Sequence, residues 1–223
     1  MDDLESGVFI RYKCQMNFVR VITNYISPCE ATITCDLLLA PDVSQFDLNV
    51  RNALERMKAW IAMKENGLFY SNNNPLGKHI ANFKDEDDDV VHNEQVLFPY
   101  EPVDDAIALF FMKKFNAICH GFITIASVSI EATDSEGIEI TAFGDHDGYF
   151  PTMTEWMGES TFFNKPWWDR ADSSSIDTVK EEHSEETPDY ATPLTETFTV
   201  ETQEAKILRP TFKPRIIDGD RDI

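Results

Sequence analysis

The residues whose types and spacing could do chemistry are Asp145, His146 and Asp147, within Gly144-Asp-His-Asp-Gly148, and Glu155 shortly after them. Carboxylates beside an imidazole are what a metal site or an acid–base pair needs, because histidine titrates near neutrality and a carboxylate can orient it. The Asp-x-Asp-Gly spacing is also that of an ordinary strand-end turn, which is the competing reading of the same residues. Cys119-His120 places a thiol next to an imidazole. Catalysis by such a pair needs the two groups to meet in space, and adjacent strand residues point to opposite faces. A core thiol and a boundary imidazole are therefore expected there. The run Asp85-Glu-Asp-Asp-Asp89 offers hard oxygen ligands, but Val90 stands where a calcium loop requires glycine, so a solvated loop is expected. His79, His92 and His183 are scattered through polar segments. These features predict no metal site and no cofactor, and they lean away from an enzyme.

Aromatic residues form the second cluster. Phe143, Tyr149, Phe150, Trp156, Phe162, Phe163, Trp167 and Trp168 crowd one segment in which the basic residues are Lys165 and Arg170. Single-strand nucleic-acid binders pair such rings with a cationic groove, which is missing here. The rings are expected to pack across a sheet or to meet a protein partner, with Trp156, Trp167 and Trp168 as contact candidates. The chain's end is a third candidate. Lys206-Ile-Leu-Arg-Pro-Thr-Phe-Lys-Pro-Arg-Ile-Ile217 mixes basic and apolar residues with prolines and reads as an extended docking peptide. Its contact residues would be Ile207, Leu208, Arg209, Phe212 and Arg215.

Periodicity predicts the elements that must position these residues. Val8, Ile10, Tyr12, Cys14, Met16 and Phe18 alternate with polar neighbours, as do Ala31, Ile33, Cys35, Leu37 and Leu39, so a hairpin turning around Asn24 to Pro28 is expected. Phe46, Val50, Ala53, Met57 and Trp60 then recur at helical spacing, after a start at Pro41-Asp42 with Gln45 placed for a capping box and before a stop at Asn66-Gly67. A second helix opens at Pro102, with Val103, Ala106, Phe110, Phe111, Phe115 and Ile118 facing inward and Gly121 closing it. Phe122 to Ala132 and Ile138 to Phe143 form a second hairpin around Thr133–Gly137. The predicted fold is an α+β core at 7–170: a four-stranded antiparallel sheet of two hairpins with two helices packed on one face. Residues 66–101 are expected to be a long acidic loop in which Val96-Leu-Phe-Pro-Tyr100 is a candidate short strand. An acidic Ser/Thr-rich linker at 171–204 and the basic, apolar docking segment at 205–223 complete the chain.

This order, over roughly residues 8–143, resembles the topology of the tunnelling fold of pterin-synthesis and GTP-cyclohydrolase enzymes. The resemblance implies zinc held by histidines, a His-x-His pair among them, or by cysteine and histidine. No His-x-His occurs in this chain, and Cys119-His120 is no substitute. It also implies side-by-side oligomerisation, which protects sheet edges.

Charge sets the remaining bounds. The 223 residues carry 19 basic and 40 acidic side chains, a net −21, which argues against binding nucleic-acid phosphates or anionic membranes. The excess is unevenly placed: residues 1–170 carry −14, 171–204 hold one lysine against ten acids, and 205–223 reverse to five basic against three acidic residues. No secretory signal pattern and no apolar run long enough to span a bilayer is seen, and Cys14, Cys29, Cys35 and Cys119 read as buried reduced thiols, so a cytoplasmic setting is expected. The leading expectation is a non-catalytic protein-interaction or assembly subunit, of viral type by its unfamiliar composition. It would self-associate and bind partners with basic surfaces. The alternatives are a nucleotide- or pterin-type enzyme using Asp145, His146, Asp147 and Glu155, and an acidic mimic of nucleic acid.

Overall fold

Alternation builds the first hairpin in the computed structural model, which describes residues 9–40, 43–84, 94–159, 161–179 and 191–194. Strand β1 (Phe9–Ile22) pairs antiparallel with β2 (Tyr25–Leu39) along its whole length, from Phe9 opposite Leu38 to Ile22 opposite Tyr25. The turn is tighter than expected. It needs only Thr23 and Asn24, with Thr23 in the left-handed region at φ 52°. Pro28 consequently lies within β2, opposite Val19, beyond the point at which the next strand begins to pair at Ala31. There β2 has an open flank, where a residue without an N–H is tolerated.

Helix α1 (Leu48–Met63) starts later than expected, because Asp47 rather than Pro41-Asp42 caps it: its Oδ1 accepts from the Asn49 N–H at 2.7 Å. Phe46 is therefore outside the helix and 80% exposed, whereas Val50, Ala53, Met57, Trp60 and Ile61 form the buried stripe. Asn66 ends the unit at φ 60°. A Cβ on Gly67 would come within 2.9 Å of the Lys64 carbonyl, so the chain can turn this closely only with glycine.

The largest departure from expectation follows. Within the expected loop lie β3 (Gly67–Ser71), α2 (Pro75–Ala81) and β4 (Gln95–Phe98); the acidic run Asp85–Asp89 falls outside the described residues. β3 pairs parallel with β1, and β4 parallel with β3. The four-stranded antiparallel sheet is thus corrected to a six-stranded mixed sheet, ordered β4-β3-β1-β2-β5-β6. Its helices among the described residues number four rather than two. β4 falls on the candidate strand at Val96-Leu-Phe-Pro-Tyr100, whereas nothing marks β3, because all five of its residues are buried and so show no alternation, as is usual for parallel strands.

Helix α3 (Asp104–Cys119) and the second hairpin, β5 (Ile123–Ala132) with β6 (Glu139–Phe143), follow the expected course. Val103 is the exception, standing outside α3 at its cap and partly exposed. β5 joins β2 antiparallel, so the two hairpins lie side by side and the domain is a tunnelling-fold-like α+β unit with two extra strands.

After β6 the chain makes a short helix α4 (Met153–Met157), capped by a Thr152–Glu155 box, and then returns across α1, α3 and β4 as a strap. The strap reaches beyond Arg170, where the core was expected to end. Leu97 N–H donates to the Ser175 carbonyl at 2.9 Å and Ser175 Oγ donates to the Gln95 carbonyl at 2.5 Å, so the outer edge of β4 is covered. Trp167 and Trp168, expected as surface contacts, are fully buried. They extend the aromatic core of Trp60, Phe98, Phe110 and Phe111, with Trp60 and Trp167 stacked at 6.1 Å. Trp156 is almost as buried and donates from its indole to Asp177 at 3.2 Å. Among the described residues, no helix is long and apolar enough to cross a membrane.

Candidate functional site

The turn after β6 makes one wall of a groove. Gly144 takes φ +80°, Asp147 N–H donates to Asp145 Oδ1 at 3.0 Å, and Tyr149 N–H donates to the His146 carbonyl at 2.8 Å. The turn reading of Asp145-His-Asp is therefore correct as local structure. The same turn also places all three residues at one groove of about 1110 Å³, lined further by Lys113 and Asn116 of α3, by His120 just past its end, by β5, and by Phe150, Lys165, Asp169 and Arg170. Asn116 fixes the join of helix to sheet: its side chain accepts from the Ile125 N–H at 2.9 Å.

Lys113 is the electrostatic centre of this groove. Its ammonium lies 2.5 Å from Asp147 and 3.9 Å from Asp169, and 5.3 Å from the centre of the Phe150 ring. The two carboxyls respond in opposite directions. The bond from Lys113 lowers Asp147, which is solvent-exposed. Burial raises Asp169 against the pull of Lys113 and Lys165. Burial alone would lower Lys113, but the bond to Asp147 and the field of Asp169 leave it raised and firmly charged. One ionised carboxylate, one carboxyl held towards its protonated form and a cation between them are the parts of an acid–base site.

The imidazole of His146 is committed on one side. Nε2 lies 2.6 Å from the Phe143 carbonyl, so that nitrogen carries the proton and donates. Glu155 is not part of this constellation. Its carboxylate accepts from the Thr152 N–H and hydroxyl, both at 2.8 Å, as half of the capping box of α4, and it faces a second cavity. The groove residues that sequence reasoning passed over are Lys113 and Asp169, and Phe150 was noted only as one ring of the aromatic segment. A signal was present in Lys113-Lys114, two cations in the interior of a helix whose other charges, Asp104 and Asp105, stand in its first turn.

The donor set does not fit the zinc that the tunnelling fold implies. Among the described residues, no three histidines, cysteines or carboxylates gather as a metal site. Cys119 is buried, its thiol pushed up to about 12 by that burial, and donates to the Ala53 carbonyl at 3.7 Å. It is thereby a core residue, separated in role from His120.

No protein-family model and no curated protein matches this chain. Solved structures do. An uncharacterized protein, WS1659 from Wolinella succinogenes, is 10% identical, with a TM-score of 0.48 over 63% of this chain and 100% of its own. A 6-pyruvoyl tetrahydropterin synthase from Plasmodium vivax is 11% identical, with a TM-score of 0.43 over 64% of this chain and 100% of its own. The Caenorhabditis elegans 6-pyruvoyl tetrahydropterin synthase is 8% identical, with a TM-score of 0.38 over 63% and 97%. The viral and structural expectation is corrected here, since nothing in these comparisons supports it and two of the structures named are pterin synthases. Identities and TM-scores of this size leave the functional argument to the chain's own residues.

Proposed function

We propose that the groove is the active site of a small-molecule enzyme that moves protons on a planar heterocycle of the pterin or purine class. The observation that carries this reading is Lys113 held between Asp147 and Asp169 beneath the Phe150 ring. Phe150 supplies an apolar wall on which a flat ring can lie. Asp169, raised by burial, exchanges the proton, and Lys113 stabilises negative charge as it develops on the ring. Asp147 keeps Lys113 charged and in place. His146 and His120 provide hydrogen-bonding edges, and Asp145 shapes the turn.

The charge of the lining narrows the ligand. Lys113 and Lys165 face Asp145, Asp147 and Asp169 while Arg170 pairs with Asp172 and Asp177, so the groove is close to balanced inside an acidic chain. A balanced lining suits a neutral or singly charged ring better than a polyphosphate. A second copy pairing along β6, whose partner on its other side is β5, would meet the expectation of self-association; β4 does not offer the same opportunity because the strap covers it.

Thermal-shift measurements on the full chain with pterins, purine bases and nucleosides test the reading. At least one class should raise the melting temperature, as binding to the native state must. Lys113→Met should remove that rise while leaving the ligand-free melting temperature nearly unchanged. Failure of both classes to bind, or equal binding by the variant, defeats the proposal.

A further inference from the structure

A second cavity, of about 450 Å³, adjoins the groove at Phe150, which lines both. Tyr100, Tyr149 and Trp156 line it with Pro99 and Pro151, and Glu155 lies at its rim. The tyrosine rings meet at 5.2 Å and 63°, and the Tyr100 hydroxyl donates to the Tyr149 carbonyl at 3.2 Å, so the two rings are held as a pair. Trp156 is anchored from below by Asp177. Tyr100 remains 44% exposed.

We infer that this aromatic cavity is the docking site for the chain's own C-terminal segment, seated through Arg209-Pro210-Thr-Phe-Lys-Pro214-Arg215. Three arguments select this occupant. The first is shape: ledges of tyrosine and proline accept proline-punctuated extended chain, which loses little conformational freedom on binding. The second is charge. Residues 205–223 carry five basic against three acidic side chains and belong to a body of −14. Glu155 lines the cavity and offers a carboxylate to Arg209 or Arg215. The third is tethering. Leu194 packs in the core, and the fifteen residues from there to Arg209 can extend about 50 Å, well beyond the radius of a domain this size. A tethered segment needs only weak intrinsic affinity, because its effective concentration is high.

Tryptic cleavage after Arg215 in the full-length chain, followed by mass spectrometry, reads the docked fraction. The expected rate is about tenfold slower than in a free peptide of residues 205–223, because cleavage tracks the population of the undocked form. Tyr100→Ala should restore the peptide's rate. So should Arg209→Glu with Phe212→Ala, a pair in the tail that leaves every residue lining the cavity unchanged. Cleavage of the unaltered chain at the free-peptide rate overturns the inference. Protection that survives Tyr100→Ala in a folded chain but is lost with the tail pair also overturns it, since the tail then docks elsewhere. Protection that rises with protein concentration overturns docking within one chain in favour of docking between copies.

Discussion

Lys113 and Lys114 are consecutive on α3 and meet opposite surroundings. A helix turns each residue away from the last, so Lys113 opens into the groove while Lys114 points beneath the strap with no solvent exposure. Lys113 finds carboxylates and stays firmly charged. Lys114 finds main-chain carbonyls: it donates to Trp167 at 2.9 Å and Arg170 at 2.8 Å, with Asp172 more distant at 3.4 Å and the rings of Trp60 and Trp167 about it. Burial pulls its ammonium down to about 7, with Asp172 opposing the fall and Arg170 adding to it. The same residue type thus serves a reactive surface on one side of the helix and an internal joint on the other. What differs is which acceptors the strap and the turn bring to it.

This contrast breaks most visibly at Lys114. Lys114→Ala should cost about 3 kcal/mol of stability in urea unfolding, since it leaves two buried carbonyls without their donor and opens a void. The strap should loosen with it, read as faster amide exchange at residues 167–175. A variant as stable as the parent would show that the strap is held by Asp177, which accepts from the Trp167 N–H and from Arg170, without help from the lysine. The second expected effect is on pH. The folded value of Lys114 lies below its ordinary one, so between them the unfolded chain holds the proton that the folded chain releases. Stability should therefore rise with pH across that window, by about 2 kcal/mol from pH 7 to 9. Cys29, Cys35 and Cys119 are raised by burial and act in the opposite sense as pH climbs past the ordinary thiol value. The measurement is accordingly the difference between the parent and Lys114→Met, in which the thiols are common to both. Equal pH slopes would refute a lowered Lys114.

How much of this was legible in the sequence depended on period and partners. Met16 and Phe18 in β1, Ile33 and Cys35 in β2, and Met57 and Trp60 in α1 announce their elements because each has one face more buried than the other. Helix α3 announces itself instead by length and apolar density, being buried almost all round. Gly67-Leu-Phe-Tyr-Ser71 has no exposed face, so its strand carries no period, and its parallel pairing with β1 depends on contacts far along the chain. The strap was hidden for a different reason. Ser173, Ser174, Ser175 and Asp177 read as solvated linker by composition, yet all are buried, because a polar residue can be internal when its bonds are met. Composition reports polarity and not whether partners exist. At the site, the Gly144–Gly148 turn was legible as a cluster. Lys113 and Asp169 were not, since a groove assembled from a helix, a turn and a strap has no single sequence signature. Aromatic density in Trp167-Trp168 was plain, but its inward direction was set by Leu97, whose carbonyl accepts from the Trp167 indole at 2.8 Å.

The groove side of the comparison should yield smaller energies and sharper chemistry. Lys113→Met should cost under about 1 kcal/mol, because ion pairs near the surface contribute little. Its effect should appear in the two carboxyls instead, followed by carbon-detected NMR of their titration. In the parent chain Asp147 should titrate below the ordinary aspartate range and Asp169 above it. The signs for stability are opposite as well. The share that Asp147 contributes is present above the unfolded value and disappears as pH falls through its folded one, whereas protonation of Asp169 on acidification removes a cost of burial. Removing the ammonium should return Asp147 towards its ordinary value, since Lys113 is the main cause of its shift. It should push Asp169 higher still, since Lys113 is the leading cation opposing the effect of burial there. Movement of both carboxyls by the same small amount would mean that Lys113 acts as a diffuse surface charge. Asp169 would then have no special claim to the proton.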